Sequence, residues 1–231
     1  MKLSIIIPCY NEEKTIDEVL KRISEFYTEK KQVIIVNDSS TDNTMKIINQ
    51  LKQKYNFIDK IIEHKYNMGK GAAINSAIEY VDGDICLIQD ADLEYHPKDY
   101  LKLIEPIKKG IADVVYGSRF IGGNEKRVSF FWHKLGNNLL TILSNMLTDL
   151  SLTDMETCYK VLKTDLFKKI KLKEKRFGIE PEITAKIAKL KVRVYEVGIS
   201  YQGRGYSEGK KITWRDGFSA IRCIIKYNFF N

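Results

Sequence analysis

The chain has 231 residues, 44% of them hydrophobic, and a formal net charge of +8. That is enough apolar sequence to bury the core of one large α/β domain, or of one domain with an appendage. Its four cysteines are widely spaced and include no Cys-x-x-Cys pair, which argues against a zinc site or a disulfide framework and fits a reducing cytosol. No apolar run has the length of a transmembrane helix or the form of a signal peptide.

Apolar runs alternate with helical patterns through the first half of the chain. The runs predict strands at 3–7, 33–36, 58–63, 85–89 and 114–117. Between them the pattern predicts helices at 14–27, after the capping pair Thr41-Asp42, and at 71–80 and 100–109. This alternation is typical of an α/β fold with a mostly parallel sheet flanked by helices. No linker is visible, so we expect residues 1–231 to form a single domain.

Apolar side chains at helical spacing predict two amphipathic helices in the second half, at 129–149 and 213–230. Such stripes usually face a protein core. The alternative is a helix that rests in the membrane interface, because aromatic residues begin the first stripe and basic residues are interspersed in the second.

Positive charge is concentrated in the last third of the chain. Residues 160–231 contain 18 basic and 7 acidic residues. This excess favours an anionic partner, such as a phosphate, a nucleic acid or an acidic lipid headgroup. A solvated lysine-rich surface is the simpler interpretation of residues 168–176.

An acidic cluster follows the predicted strand at 85–89. It consists of Asp90, Ala91, Asp92 and, two residues later, Glu94. In open α/β sheets, ligands bind outside the carboxyl ends of the strands. Crowded carboxylates at that position suit Mg²⁺ or Mn²⁺ carrying a diphosphate.

Polar residues also follow the first three predicted strands. Tyr10 offers a stacking face for a nucleobase, and Glu12 can accept hydrogen bonds from base or ribose. Asp38 can bind a base edge or simply form a turn. The stretch 67–72 places glycines and Lys70 at the start of a helix, where backbone can approach a phosphate.

These motifs resemble those of the inverting family 2 glycosyltransferases, which have the Rossmann-like GT-A fold. The match comprises the Pro-x-Tyr-Asn-Glu start, the Val36–Thr44 stretch and Asp-Ala-Asp, and the resemblance covers nearly the whole chain. Within the family, the chain is most similar to polyprenyl-phosphate (dolichyl-phosphate) hexosyltransferases such as the mannose synthases. The marks of this subgroup are Gly117-Ser118-Arg119, the stretch 154–160, and Arg204 with Lys210 six residues later.

The resemblance implies a role for each matching residue. Residues that would hold the nucleoside are Pro8, Tyr10, Glu12, Val36 and Asp38. Asp90 and Ala91 would contact ribose or sugar, and Asp92 and Glu94 would bind the metal. Arg119, Arg204 and Lys210 would hold the donor diphosphate and the acceptor phosphate, with Lys70 also near the nucleotide sugar. Asp154 and Glu156 are each either an acid of the site near the acceptor or a helix cap.

The implied reaction transfers a hexose, with mannose as the first guess, to a polyprenyl phosphate with inversion. The donor would be GDP-mannose or a UDP-hexose. Residues 1–120 would bind the nucleotide sugar, and residues 121–231 would face the acceptor and the membrane. We expect a cytoplasmic protein, peripheral on the cytoplasmic face of a membrane and held there directly or by a separate membrane subunit.

Three departures from the family pattern leave the base and the sugar open. Asn37 stands where an acid is common, Ser39 where a glycine is common, and Glu94 where mannose synthases often have glutamine.

Two alternatives remain at this stage. One is a family 2 enzyme that extends a glycan at a sugar hydroxyl, with a UDP-sugar donor and Asp154 as the base that such an acceptor needs. The other is a nucleic-acid-binding module. The basic residues follow no recognised nucleic-acid-binding motif, so we expect no specific nucleic acid partner.

Overall fold

The computed structural model describes residues 1–122, 127–128, 130–205 and 214–230. The strands are β1 (Leu3–Cys9), β2 (Lys31–Asn37), β3 (Ile58–Glu63), β4 (Ile85–Ile88), β5 (Val114–Ser118), β6 (Lys160–Lys163) and β7 (Val194–Gly198). The helices are α1 (Ile16–Phe26), α2 (Thr44–Lys54), α3 (Lys70–Ile78), α4 (Tyr100–Lys108), α5 (Phe131–Thr148), α6 (Thr164–Lys169), α7 (Ile179–Lys189) and α8 (Trp214–Phe229).

The strands form one seven-stranded sheet in the order β3-β2-β1-β4-β6-β5-β7. All neighbouring strands are parallel except β6, which runs antiparallel to β4 and β5. The apolar residues of β1 and β4 are buried almost completely. Interior strands covered on both faces need apolar residues at every position, which explains the continuous runs in the sequence. The predicted α/β fold with a mostly parallel sheet is confirmed.

The direction of β6 determines what lies at the edge where β4 and β5 end. Leu87 of β4 pairs with Val161, and Tyr116 of β5 pairs with Lys160. Because β6 is antiparallel, its beginning, and not its end, lies beside the carboxyl ends of its neighbours. The stretch 154–159 therefore joins the edge that carries Asp90 and Arg119.

The five predicted strands and the predicted helices are present, with small shifts at their ends. The sequence did not predict β6, α6 or β7. β6 has only four residues with a lysine at each end, and β7 is only partly buried, so neither has a continuous apolar run. α2 begins at Thr44 after the N-cap residue Asn43, and Asp42, one residue earlier, accepts a hydrogen bond from the Thr44 backbone N–H at 2.9 Å.

α5 turns much of its apolar stripe away from the protein. Thr141 and Ser144 are its buried residues, whereas Trp132 is 75% exposed and Leu139 60% exposed. Leu143 is the exception in the stripe, because it packs against the core. The usual core-facing interpretation of the stripe is therefore wrong for most of its length. No helix in the described ranges is both long and apolar enough to cross a membrane.

Glu174 joins α8 to the rest of the fold. Its carboxylate accepts hydrogen bonds from Arg222 at 2.6 Å, Lys226 at 3.0 Å and Tyr227 at 2.9 Å. Burial alone would raise the pKa of Glu174, but these three donors outweigh it and lower the pKa to about 2. The stretch 168–176 is thus more than a solvated lysine-rich surface.

The Glu174 contacts predict a pH-dependent loss of stability. Glu174→Gln should lower the free energy of unfolding by about 1–3 kcal/mol at pH 7, because charge-assisted hydrogen bonds are lost. A carboxyl with a depressed folded-state pKa stabilises the fold above its unfolded pKa, near 4.5, and loses that effect as the pH falls toward about 2. The difference between wild type and variant should therefore be full above pH 5 and shrink below pH 4.

Urea unfolding at several pH values measures this difference. Glu105→Gln is the matched control, because Glu105 pairs with Lys109 on an exposed helix surface and should contribute little. A difference that is the same at pH 7 and pH 3.5 would rule out the ionised Glu174 anchor.

Candidate active site

The acidic cluster lies in a tight turn after β4. Leu93 adopts a left-handed φ of 66°, and the Glu94 backbone N–H donates to Asp92 Oδ1 at 3.1 Å. Burial, and then the neighbouring Asp90 and Glu94 carboxylates, raise the pKa of Asp92 to about 8. A carboxylate so hard to ionise among other carboxylates indicates a place where a bound cation would be stabilised.

The chemistry of these donors fits a magnesium or manganese ion. Glu94 also accepts hydrogen bonds from the Tyr201 hydroxyl at 2.9 Å and the Arg204 backbone N–H at 2.7 Å, which fix its carboxylate. Among the residues that the structure describes, no three His, Cys, Asp or Glu side chains form a complete metal site. Mg²⁺ commonly binds through one or two carboxylates together with waters and substrate phosphates, so Asp92 and Glu94 meet its requirements.

Lys70 lies in a row of alternating charges behind this turn. Its Nζ is 2.9 Å from Asp90 Oδ1 and 3.2 Å from Glu180 Oε1, and the buried Lys160 contacts the other oxygen of Glu180. Burial opposes the charge on Lys70, but the carboxylates prevail and hold the pKa of Lys70 well above its usual value. Sequence analysis assigned no role to Lys160. The only signal for Lys160 was its place at the end of the 154–160 motif.

The glycines beside Lys70 serve packing. A Cβ on Gly71 would overlap the carbonyl oxygen of Glu174, and Gly69 has a φ of 96° and faces the Lys175 carbonyl. The Ala72 backbone N–H donates to the Lys175 oxygen at 3.0 Å. Protein backbone thus occupies the approach to these glycines that the sequence assigned to a phosphate.

Asp38 holds the loop that precedes α3. Its carboxylate accepts hydrogen bonds from the backbone N–H groups of Met68 at 2.8 Å and Gly69 at 2.7 Å. His64 Nδ1 lies 2.7 Å from the same carboxylate, and His64 Nε2 lies 3.0 Å from Ser76 Oγ. Both oxygens of Asp38 are therefore engaged within the protein. Contact with a nucleobase would use the remaining acceptor capacity of these oxygens.

The other residues assigned to the nucleoside lie along the ends of β1 and β2. Pro8 and Tyr10 are half-buried, and Glu12 is buried. Val36 pairs with Pro8 and its side chain is completely buried, so only its backbone is positioned to meet a ligand.

Arg119 and Asp154 form a two-point ion pair. Arg119 Nε and one terminal nitrogen donate to the two Asp154 oxygens, each at 2.6 Å, and the Arg119 backbone N–H adds a third bond at 3.0 Å. Asn137 accepts a further bond from Arg119 at 2.9 Å. No helix begins at Asp154, so the helix-cap alternative is wrong. Both oxygens of Asp154 are therefore engaged by Arg119.

Arg204 approaches the acidic turn from a distant part of the chain. Its guanidinium donates to the Asp92 carbonyl oxygen and lies 3.4 Å from Glu12 Oε2. Arg204 thus lies between the ends of β1 and β4. Its expected companion Lys210 lies outside the described residues.

The chain matches known proteins along most of its length. Residues 4–171 match the family described as Glycosyl transferase family 2. A similar curated protein is the dolichol-phosphate mannosyltransferase of Pyrococcus furiosus, 34% identical over 136 residues, which are 58% of this chain and 38% of that protein. Another is the dolichyl-phosphate beta-glucosyltransferase ALG5D of Trichomonas vaginalis, 26% identical over 217 residues, which are 86% of this chain and 65% of that protein. The matches therefore span less than two thirds of both relatives.

A solved structure shares the fold. It is glucosyl-3-phosphoglycerate synthase from Mycobacterium tuberculosis in complex with Mn²⁺, UDP and phosphoglyceric acid, with a TM-score of 0.73, 18% identity, and coverage of 100% of this chain and 79% of that one. At this identity the likeness is one of fold, the expected GT-A arrangement. Because the family model covers well over half of its length, the chain belongs to glycosyl transferase family 2 and is related to the dolichol- and polyprenyl-phosphate glycosyltransferases.

Proposed function

We propose that the chain transfers a hexose from a nucleotide-diphosphate sugar to a polyprenyl phosphate, with inversion at the sugar carbon. The observation that carries this proposal is that acids and arginines meet at one sheet edge. Arg204 donates to the Asp92 carbonyl in the turn after β4. Arg119, paired with Asp154, lies over the ring of Tyr201, whose hydroxyl donates to Glu94. Two curated relatives are named for dolichyl-phosphate or dolichol-phosphate transfer, which supports a lipid phosphate as the acceptor.

The residues divide the work of such a transfer between donor and acceptor. Asp92 and Glu94 would hold Mg²⁺ or Mn²⁺, which when bound neutralises the charge of the departing diphosphate. Arg204, next to the Asp92 carbonyl, would bind the same diphosphate, and Lys70 beside Asp90 would orient the sugar or its phosphate. Arg119 would hold the acceptor phosphate. An anionic phosphate is already a nucleophile, so alignment with the sugar carbon is the main requirement.

The pairing of Asp154 favours this acceptor over a sugar hydroxyl. A hydroxyl acceptor needs a base, and the only base that the sequence offered for it was Asp154. That carboxylate is fully buried and committed to Arg119.

Mannose from GDP-mannose remains the first candidate for the donor, and a UDP-hexose is the second. The M. tuberculosis synthase of the same fold was solved with Mn²⁺ and UDP. That complex supports a bound metal and is the reason to include UDP-sugars among the donors tested.

Assays of transfer to a short polyprenyl phosphate, using a panel of nucleotide sugars with and without Mn²⁺, test the proposed function. Asp92→Asn should lower kcat/KM by about 10²–10³-fold, because the metal and the diphosphate charge it neutralises are both less well held. Chelation of the metal by EDTA should abolish transfer by the wild type. Asp82→Asn is the control, because Asp82 is exposed on the opposite edge of the sheet.

Two results would count against it. Full turnover in excess EDTA would show that transfer does not require a metal. Transfer to a glycan hydroxyl but to no polyprenyl phosphate would favour the glycan-extending alternative.

We also propose that the exposed faces of α5 and α8 rest on the cytoplasmic face of a membrane. The two helices lie side by side, and their outward residues include Trp132, Leu139, Phe218 and Phe229. Large apolar residues exposed on two adjoining helices favour a protein or membrane contact there. A lipid acceptor would explain why this surface faces a membrane. The alternative is that a separate membrane subunit covers it.

Flotation with vesicles that contain anionic lipid measures this association. Leu139→Glu should reduce the bound fraction several-fold, because a charge on that face opposes insertion, and salt should weaken binding by the wild type. Leu101→Glu is the matched control, since Leu101 is a half-exposed leucine on α4. Wild-type protein that ignores vesicles at low salt would point to the membrane subunit instead.

A further inference from the structure

Glu156 is a second carboxyl group of the stretch that carries Asp154, and no helix begins there for it to cap. It lies in the stretch 154–159 that the direction of β6 brings beside the ends of β4 and β5. Its Oε1 is enclosed and has no hydrogen-bond partner among the described residues. Unpartnered buried carboxyl oxygens are rare in native proteins, so this one requires an explanation.

The charges around Glu156 are already matched without it. Arg119 is paired with Asp154. Lys160 and Lys70 are paired with Glu180, and Lys70 also with Asp90. Three cations thus meet three carboxylates, and an ionised Glu156 would add an unmatched negative charge to a buried cluster.

Burial and the neighbouring charges also favour the protonated form of Glu156. Burial, and then the Glu180 carboxylate, raise the pKa of Glu156 to about 7. Lys160 and Arg119 lower it and Asp154 raises it, but their combined influence does not offset burial and Glu180. At neutral pH a large share of the molecules therefore carry a neutral carboxyl at this position.

We propose that Glu156 works in its protonated form, as a neutral hydrogen-bond donor to a phosphate group bound beside Arg119. This inference rests on the proposed function, because it requires a phosphate ligand at this edge. A protonated carboxyl can donate a hydrogen bond to an anion, whereas an ionised one can only accept and would repel it. The same reasoning explains why a site that binds phosphate would tolerate a further acid beside the three paired carboxylates.

The phosphate can belong to the acceptor lipid or to the donor diphosphate. Both present the same anionic oxygens, so the shared chemistry is what Glu156 recognises. Titrations with UDP or GDP alone report on the donor. Titrations with inorganic phosphate, and the KM for a short polyprenyl phosphate, report on the acceptor.

The pH dependence of transfer by wild type and Glu156→Gln tests the proposal. Glutamine keeps a neutral N–H donor at every pH. The ratio of wild-type to variant kcat/KM should therefore fall about tenfold between pH 6 and pH 8, as the wild-type carboxyl loses its proton. Glu156→Ala should be impaired at every pH, because it has no donor. Glu105→Gln, at an exposed acid on α4, should follow the wild type.

A general base at this position gives the opposite pattern and would overturn the proposal. Such a base must be ionised to accept a proton, so wild-type activity would rise through pH 7 and Glu156→Gln would be inactive. A wild-type to variant ratio that does not change with pH would also overturn it.

Two further measurements test the role of Glu156 without requiring transfer activity. They therefore separate failure of this inference from failure of the proposed function. In the first, affinity for UDP, GDP or inorganic phosphate should weaken from pH 6 to pH 8 more in wild type than in Glu156→Gln. Equal weakening for all these probes would mean that Glu156 contacts no phosphate.

The second measurement is thermal unfolding at pH 5 and pH 8. Between about pH 4.5 and pH 7, a carboxyl with a raised folded-state pKa binds a proton in the folded state but not in the unfolded state. Its contribution to the free energy of unfolding therefore becomes less favourable as the pH rises through this range. The Tm of Glu156→Gln should therefore exceed that of wild type by more at pH 8 than at pH 5. The same Tm difference at both pH values would show that Glu156 is ionised in the folded protein, against the proposal.

Discussion

Buried carboxylates at one edge of the sheet need counter-charges, and segments far apart in the chain supply them. Asp90 after β4 meets Lys70 at the start of α3, and Asp154 meets Arg119 after β5. Removing one partner of a buried ion pair typically lowers the free energy of unfolding by about 3–5 kcal/mol, because the remaining charge is unpaired in the low-dielectric interior. The pairs therefore hold the loops of this edge in one arrangement before any ligand binds.

This arrangement has a consequence for the chemistry. Arg119 is oriented by Asp154, Asn137 and the ring of Tyr201, so its position does not depend on the ligand. Under the proposed function, a preoriented Arg119 would hold the acceptor phosphate with little reorganisation during the reaction. The antiparallel β6 is essential to this, since it returns the chain to the edge with Asp154, Glu156 and Lys160 in one short stretch.

The second half of the chain has a different physical character from the first. In the strands of the first half, apolar residues point inward to the core. In α5, polar residues such as Thr141 lie inward, where the Thr141 hydroxyl accepts a hydrogen bond from the Met155 backbone N–H. Some of its leucines, such as Leu143, also pack inward, but other large apolar residues, such as Trp132 and Leu139, are exposed. The helix thus supports the loop that carries Asp154 and Glu156 on one side and exposes an apolar surface on the other. A lipid-bound acceptor would reach the site from that surface.

The sequence predicted best those features that depend on local pattern. The apolar runs of β1 and β4, and the carboxylates that follow β4, were recognisable because interior strands leave an uninterrupted signal. The partners of those carboxylates were not, since no local rule connects Asp38 with His64 and Gly69, or Lys160 with Glu180. The same limit applies to the short strand β6, whose direction depends on both neighbours, and to the outward turn of α5, which has the spacing of an ordinary core helix.

The central claim is that a phosphate is the acceptor. It is tested most directly by comparing transfer of a labelled hexose to a short polyprenyl phosphate and to the corresponding polyprenol, at equal lipid concentration and with Mn²⁺ present. Labelled product is expected from the phosphate alone, because Arg119 would have no anion to bind in the alcohol. Transfer to the polyprenol at a comparable rate would contradict it.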